Sequence, residues 1–315
     1  MNAISTLHWS VGHMLRPLSG IRGMGRMCQL VNTGFLSAGA SPIQKMRMRD
    51  GTHMILDLRS KTEMYSFYSG RYDDATINLI RRLLDRLESD FLDVGGNIGM
   101  YAVRAIAGSK TDRRCVCFEP MSDNALRIEE NTSLNGLQNR VDVHEVALSD
   151  SCGEAALVLR EDFELGASTG NASVAISEEA DVHFRKVQVP MRRFDDLIEV
   201  TRSSRFRVAK VDIEGHEDFF LRGAANWIAR DRPIIFSEIN NWFYQKRGTT
   251  SSSVFKSSLP EDYQVALLKE SGRTCRLQTC SLKSLAELSD IETIIIFPPE
   301  LTEEIHLSID LQTRA

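Results

Sequence analysis

No stretch of this 315-residue chain approaches the roughly 18 consecutive apolar residues of a membrane span, the densest run being Ile294-Ile295-Ile296-Phe297. A soluble protein is expected. The six cysteines, at positions 28, 115, 117, 152, 275 and 280, form no Cys-x-x-Cys pair and show no zinc-site spacing. They read as reduced thiols of a cytoplasmic protein. An excess of positive charge is also missing: 38 Lys and Arg face 43 Asp and Glu, for a net charge of −5. No nucleic-acid partner is expected, because nothing in that balance attracts a phosphate backbone. Acidic residues are absent before Asp50, while Arg16, Arg22, Arg26, Lys45, Arg47 and Arg49 precede it. Such a leader could be a transit peptide or could lie on an anionic membrane. The preferred expectation is a folded or semi-ordered extension, since glycines interrupt its helical periodicity and no secretory apolar core is present. The chain is accordingly divided into a basic extension (1–49), a main domain (50–299) and a tail (300–315).

What the chain does contain is an alternation of short apolar runs with amphipathic stretches from Asp90 onward, the pattern of βαβ units on a parallel sheet. Phe91-Leu92-Asp93-Val94 reads as the first buried strand. After a glycine turn, Ile98, Ala102 and Ile106 recur every four residues as the inner stripe of a helix. Cys115 to Phe118 is the second strand, followed by a helix through Ala125, Ile128 and Leu134 that closes at Gly136. Val141 to Val146 alternates as the third. A polar region from Asp150 to about Arg185 is too long for an ordinary connection and is expected to carry function. Phe206 to Ile213 and Pro233 to Ile239 supply the fourth and fifth strands, with a helix from Glu217 to Ala229 between them. Tyr263 to Leu268 and Glu292 to Phe297 read as an antiparallel pair at one edge, and Thr249 to Ser253 as a surface loop. The expected fold is α/β, a doubly wound, mostly parallel, seven-stranded sheet of Rossmann-like type.

In such a sheet a ligand lies beyond the carboxyl ends of the strands, against the first turn. Gly95, Gly96 and Gly99 suit a sharp bend with main-chain amides open to a ligand. A dinucleotide fingerprint beginning at Gly95 would need glycine where Asn97 and Met100 stand, and no Gly-Lys-Ser or Gly-Lys-Thr follows for a triphosphate. Asp93 at the strand end suits the positive charges of S-adenosylmethionine better than a pyrophosphate. Glu119, twenty residues past Gly99 at the end of the second strand, is placed to accept both ribose hydroxyls. Topology puts adenine near Val146 and Ala147.

The residues Phe91 to Gly99, Phe118-Glu119-Pro120, Ala147-Leu148-Ser149-Asp150, Phe194-Asp195-Asp196-Leu197, Lys210 to Glu217 and Arg232-Pro233 occur in order on these elements. Together they resemble the FkbM-type methyltransferase family over roughly Asp90 to Ile239. The resemblance implies a class I methyltransferase fold and S-adenosylmethionine as methyl donor. It further implies an acceptor hydroxyl, on a sugar, glycan or natural-product small molecule. Asp57 to Asp74, with Tyr68, Gly70 and Tyr72, looks like the segment that precedes the core in this family and folds over the cofactor.

Methyl transfer to an alcohol needs alignment and removal of a proton. Lys210 and Asp212 share one face of the fourth strand, and Glu214, Gly215 and His216 open the next turn. Asp212, Glu214 or His216 is therefore expected to act as base or to orient the acceptor, with Glu238 as a second carboxylate. The alternative is a structural Lys210–Asp212 ion pair, with Glu214 and Glu217 favouring a helix N-terminus. The carboxylates Asp212, Glu214 and Glu238 would also suit a divalent cation such as magnesium. A zinc helix is excluded at His216-Glu217-Asp218-Phe219-Phe220, where the second histidine is missing. Gly166, Asn171, Ala172 and Ser173 could roof the acceptor site, and Trp242 to Tyr244 could touch it. Two other functions stay open: methylation of nitrogen, and a regulatory module that binds S-adenosylmethionine without catalysis. Nothing in the sequence speaks to oligomeric state.

Overall fold

Phe91–Val94 (β3) is buried along its whole length, as a strand must be when helices cover a parallel sheet on both sides. Its side chains alternate between two cores, Phe91 to one and Leu92 and Val94 to the other. The same division splits Val208 from Ala209 and Val211 on Val208–Val211 (β10). A computed structural model describes residues 2–21, 23–159, 172–174, 183–197, 205–271 and 274–313.

The remaining strands, in chain order, are Ile43–Arg47 (β1), His53–Asp57 (β2), Cys115–Phe118 (β4), Val141–His144 (β5), Ala147–Ser149 (β6), Gly153–Leu159 (β7), Ala172–Val174 (β8), Lys186–Arg193 (β9), Ile234–Ile239 (β11), Gln264–Ser271 (β12), Thr274–Thr279 (β13) and Glu292–Phe297 (β14). The main sheet has eight strands in the order β13-β12-β14-β11-β10-β3-β4-β5. Pairing is parallel from β5 through β11 and antiparallel for β14, β12 and β13. The chain winds outward from β3 in one direction and from β10 in the other, so a crevice opens at their carboxyl ends, the switch point of a doubly wound sheet.

Several sequence expectations need correction. The sheet has eight strands, not seven: β13 continues the antiparallel margin, and its short alternation of Cys275 and Leu277 with polar residues gives no apolar run to read. The polar region after Asp150 is not one long loop, because β7 crosses it and joins β6, β9 and β8 in a second sheet of order β6-β9-β7-β8. The third strand accordingly ends at His144, and Ala147–Ser149 belongs to that second sheet. Thr249 to Ser253 opens a helix, Ser251–Ser258, whose first turn is capped by the Thr250 side chain accepting from Ser253 N–H. The segment from Glu217 is two short helices, Glu217–Gly223 and Ala225–Asp231.

The leader forms two helices, Ala3–Leu15 (α1) and Met24–Ser37 (α2), which pack on Lys61–Ser69 (α3). They run through Gly12, Gly25 and Gly34, against the expectation that glycine would interrupt them, because tertiary contacts outweigh helix propensity. Met24 and Cys28 join Met46, Met54 and Phe67 in one core. At the other end, Leu301 from the turn Pro299–Leu301 and Ile305 and Ile309 from the helix Thr302–Thr313 enter that core, beside Asp74–Arg86 (α4). Among the described residues no helix is long and apolar enough to cross a membrane.

Candidate active site

The crevice beyond β3, β4, β10 and β11 holds a cleft of about 260 Å³. Its floor is the turn after β3. Gly95 and Gly96 donate their N–H groups to Phe118 O at 2.9 and 3.1 Å, which folds the turn back over the end of β4. Gly95 has φ +84°, and a Cβ there would overlap the Asp212 carbonyl; one at Gly96 would overlap Cys117 Sγ. Only glycine lets β3, β4 and β10 close around this bend. Asn97 follows at φ +50°. The next helix, Ala102–Gly108 (α5), starts past the turn. Asn131, on Ser122–Leu134 (α6), ties the turn to the amino-terminal hairpin: its Nδ2 donates to Ile98 O at 2.9 Å and its Oδ1 accepts from Ile55 N–H at 2.7 Å.

Two buried carboxyl groups face this end of the cleft. Glu119 Oε2 accepts from Asn97 N–H at 2.8 Å, and Oε1 accepts from Met121 N–H at 2.9 Å and Asn124 Nδ2 at 3.4 Å, so Oε2 keeps a lone pair for another donor. Asp93 Oδ2 is buried without a hydrogen-bond partner. Burial pushes both acids up to about 7, against the opposing pull of Lys210 on Asp93 and of the backbone donors on Glu119. Val146 and Ala147 line the adjoining wall, with Leu148, Leu157 and Val174.

The opposite end is built from β10, β11 and the turn after β10. Lys210 Nζ donates to Asp212 Oδ2 at 2.8 Å and lies 4.9 Å from the centre of the Tyr101 ring. Burial alone would lower the lysine pKa, yet Asp212, Glu238 and Asp93 outweigh it and hold the ammonium above its ordinary value. Glu238 is pushed up to about 7 by burial and by Asp212. Burial, Asp212 and Glu238 raise Glu214 well above the ordinary carboxyl range. Glu214 and Gly215 are consecutive left-handed residues, φ +52° and +86°, a strained bend of the kind that collects at functional sites. Glu217 supports the bend from beneath, accepting from Gly215 N–H at 3.1 Å and from the Tyr244 hydroxyl at 2.7 Å. His216 meets Ser149 Oγ through Nε2 at 2.9 Å and stacks on Phe219; burial pushes its pKa down to about 4.

The structure thus brings Asp93, Gly95, Gly96, Asn97, Glu119, Val146, Ala147, Asp212, Glu214, His216 and Glu238 to one cleft. Gly99 stands outside the lining and packs against Val103 and Ile128. Of the segment expected to roof the acceptor, Gly166 and Asn171 lie outside the described residues, Ser173 is buried in β8, and Val174 reaches the cleft. Trp242 to Tyr244 do not line it: Phe243 packs on Gly215, and Tyr244 anchors Glu217. Lys210 holds Asp212, and among the described residues no three His, Cys, Asp or Glu side chains converge as a ligand set for a metal ion.

Sequence reasoning missed several lining residues. Tyr101 Oη donates to Asp73 Oδ2 at 2.8 Å, and its ring meets that of Tyr72 edge-on at 5.9 Å, so the two rings wall the site. Tyr72 is fixed in turn by Arg104, whose buried guanidinium donates to the Tyr72 carbonyl and pairs with Asp50 at 2.9 Å and Asp74 at 2.7 Å. Ser60, Thr62 and Glu63 complete the rim from the first turn of α3. Only the 57–74 resemblance pointed to this quarter.

The family profile described as "Methyltransferase FkbM domain" matches residues 93–293. The chain is similar to the hexuronic acid methyltransferase AglP of Haloferax volcanii, with 30% identity over 151 residues, 47% of this chain and 56% of that protein. It superposes loosely on the crystal structure of Methyltransferase FkbM from Methylobacillus flagellatus, with TM-score 0.41 and 16% identity, covering 78% of this chain and 56% of that one. The match to the O-methyltransferase from Bacillus cereus in complex with SAH is similar, with TM-score 0.39, 10% identity, and 70% and 79% covered. The chain spans little more than half the length of the first two of these relatives.

Proposed function

Because the chain belongs to the FkbM methyltransferase family, we propose that it transfers a methyl group from S-adenosylmethionine to a hydroxyl oxygen of a sugar, glycan or similar polyhydroxylated small molecule. One observation carries the reading. A cofactor-sized cleft has paired acids at its glycine-turn end and, on the neighbouring strands, a second group of carboxyls around a single lysine. The relative from Haloferax volcanii, named for a hexuronic acid, supports a sugar as acceptor.

The cleft fits the donor chemically. Asp93 Oδ2 lacks a partner and suits the α-ammonium, the remaining lone pair of Glu119 Oε2 suits a ribose hydroxyl, and no side chain at Gly95 or Gly96 fills the space against the turn. Val146 and Ala147 offer the adenine an apolar wall. The bound sulfonium supplies an activated methyl group. Alignment and the acceptor's proton are left to the protein. Glu238, with a pKa near the operating pH, is the proposed general base. Asp212, held by Lys210, and Glu214 orient the acceptor hydroxyl. His216, neutral near pH 7 and held by Ser149, is a further acceptor contact at the turn.

Calorimetry with S-adenosylmethionine, S-adenosylhomocysteine and NAD, followed by a methyl-transfer screen on neutral sugars, glucuronic acid and amino sugars, tests the proposal. Binding of the first two ligands and mass gain at a hydroxyl are expected. Binding of NAD alone, or methylation confined to amines, would overturn it.

A further inference from the structure

Apolar side chains left in water are concentrated at one end of the chain. Ile4, Leu7 and Met14 on α1, Leu18 and Ile21 in the connection, and Met27 and Leu30 on α2 are all exposed, whereas the rest of the described chain contributes four large apolar residues of this kind. Single exposed apolar residues are ordinary; a cluster marks an interaction surface. On α1 they form a stripe, because Ile4, Leu7, half-buried Val11 and Met14 recur at three- and four-residue steps. Leu7, Met14 and Leu30 are 57%, 76% and 75% exposed, so no part of the described fold covers them.

The inward face of α1 explains why the stripe points out. Ser5 Oγ accepts from Ser41 N–H at 2.8 Å, His8 meets Tyr68 Oη at 2.7 Å and stacks on Phe35, and Gly12 lies so close to the Phe67 ring that a Cβ there would overlap it. Rolling the helix to hide the apolar stripe would break all three contacts. Charge then selects the partner. The first 49 residues hold six basic and no acidic side chains in a chain of net charge −5. Arg26 is exposed one turn before Leu30 on α2, whereas Lys45 and Arg47 are exposed on β1, beside Trp9 on the side of α1 away from the stripe, where Trp9 Nε1 donates to the Lys45 carbonyl at 3.1 Å. Pairing this face with its counterpart on a second copy would oppose two acid-free basic surfaces.

We propose that α1, α2 and their connection form a docking surface for an anionic lipid bilayer, with the apolar stripe among the acyl chains and Arg26 on the headgroup phosphates. The helices would lie in the interface without crossing it. Since both pack on α3, whose first turn rims the cleft, docking would set the mouth of the active site at a fixed height above the lipid.

Co-sedimentation of the full chain with phosphatidylcholine vesicles, with and without phosphatidylserine, tests this. The protein should pellet with the mixed vesicles only, and less so at high salt. The exposed-site variant Leu7→Ser/Met14→Ser/Leu30→Ser should lower partitioning at least about tenfold at an unchanged melting temperature. Arg26→Glu should weaken the preference for phosphatidylserine. The proposal is overturned if wild-type protein ignores mixed vesicles at low salt, or if the serine variant pellets as well as wild type. It is equally overturned if the serine variant turns a dimer into a monomer while neither protein binds lipid, which would give the face to a second copy.

Discussion

At the scale of single residues, the cleft is a place where burial and like charge hold carboxyl groups partly protonated near neutrality. Glu238, pushed up to about 7, can take a proton only when ionised, so turnover should climb as pH rises through about 7 and level off above it. Because Asp212 raises both Glu214 and Glu238, and Glu238 raises Glu214, the midpoint belongs to the group. A kcat–pH profile checks this: Glu238→Gln should remove the rise and leave a low, flat rate, and an unshifted profile would discard Glu238 as base. Asp212→Asn and His216→Ala lie farther from the ribose end. Both should bind S-adenosylmethionine within about threefold of wild type while kcat falls on the order of a hundredfold. Calorimetry and initial rates read the two effects separately, and unchanged rates in both variants would reject their assignment.

At the scale of elements, Arg104 is the joint between the amino-terminal hairpin, α4 and the cleft wall. It is 1% exposed and satisfies Asp50, Asp74 and the Tyr72 carbonyl together. Removing it takes the buried guanidinium from Asp74 and leaves Asp50 with Arg81 alone, so Arg104→Met should cost about 3 kcal/mol in denaturant unfolding. It should also raise KM, because Tyr72 and Tyr101 lose their support. The sign of the acid response follows from Asp50. Burial would raise its pKa, but Arg104 and Arg81 outweigh burial and hold it below its ordinary value. A depressed carboxyl pKa stabilises the fold above the unfolded value of about 3.9 and loses that contribution as pH falls through the folded value. Wild-type stability should therefore drop below about pH 4, and Arg104→Met should show a shallower drop; equal slopes would show that Asp50 does not depend on this arginine.

At the scale of the molecule, the ends are built into the core. Met24 and Cys28 pack with Met46, Met54 and Phe67, and Asn32 Nδ2 donates to the Leu58 carbonyl at 2.8 Å. Deleting residues 1–49 would uncover that surface and remove β1, the partner of β2. We expect the truncated chain to melt several degrees lower and to aggregate on concentration. Scanning calorimetry with light scattering would show it, and an unchanged melting temperature would make the leader a detachable extension.

The doubly wound sheet was legible in the sequence because it is written locally. Buried parallel strands need apolar runs, the turn between β3 and α5 needs Gly95 and Gly96, and Glu119 sits at a spacing set by one βα unit. Those signals named residues of β3, β4, β10, β11 and their turns that meet at the cleft. Tertiary structure decided what depends on distant partners. β7 and β13 are strands because neighbours pair with them, and α1 is helical around Gly12 because Phe67 fills the space beside it. Tyr72, Tyr101 and Arg104 become a wall only when α4, α5 and the hairpin meet. A pattern of period two or 3.6 records which side of an element is buried, but it does not record against what. The identity of that partner is fixed only when segments remote in the chain share a core, and in this protein the rim of the cleft is made of such meetings.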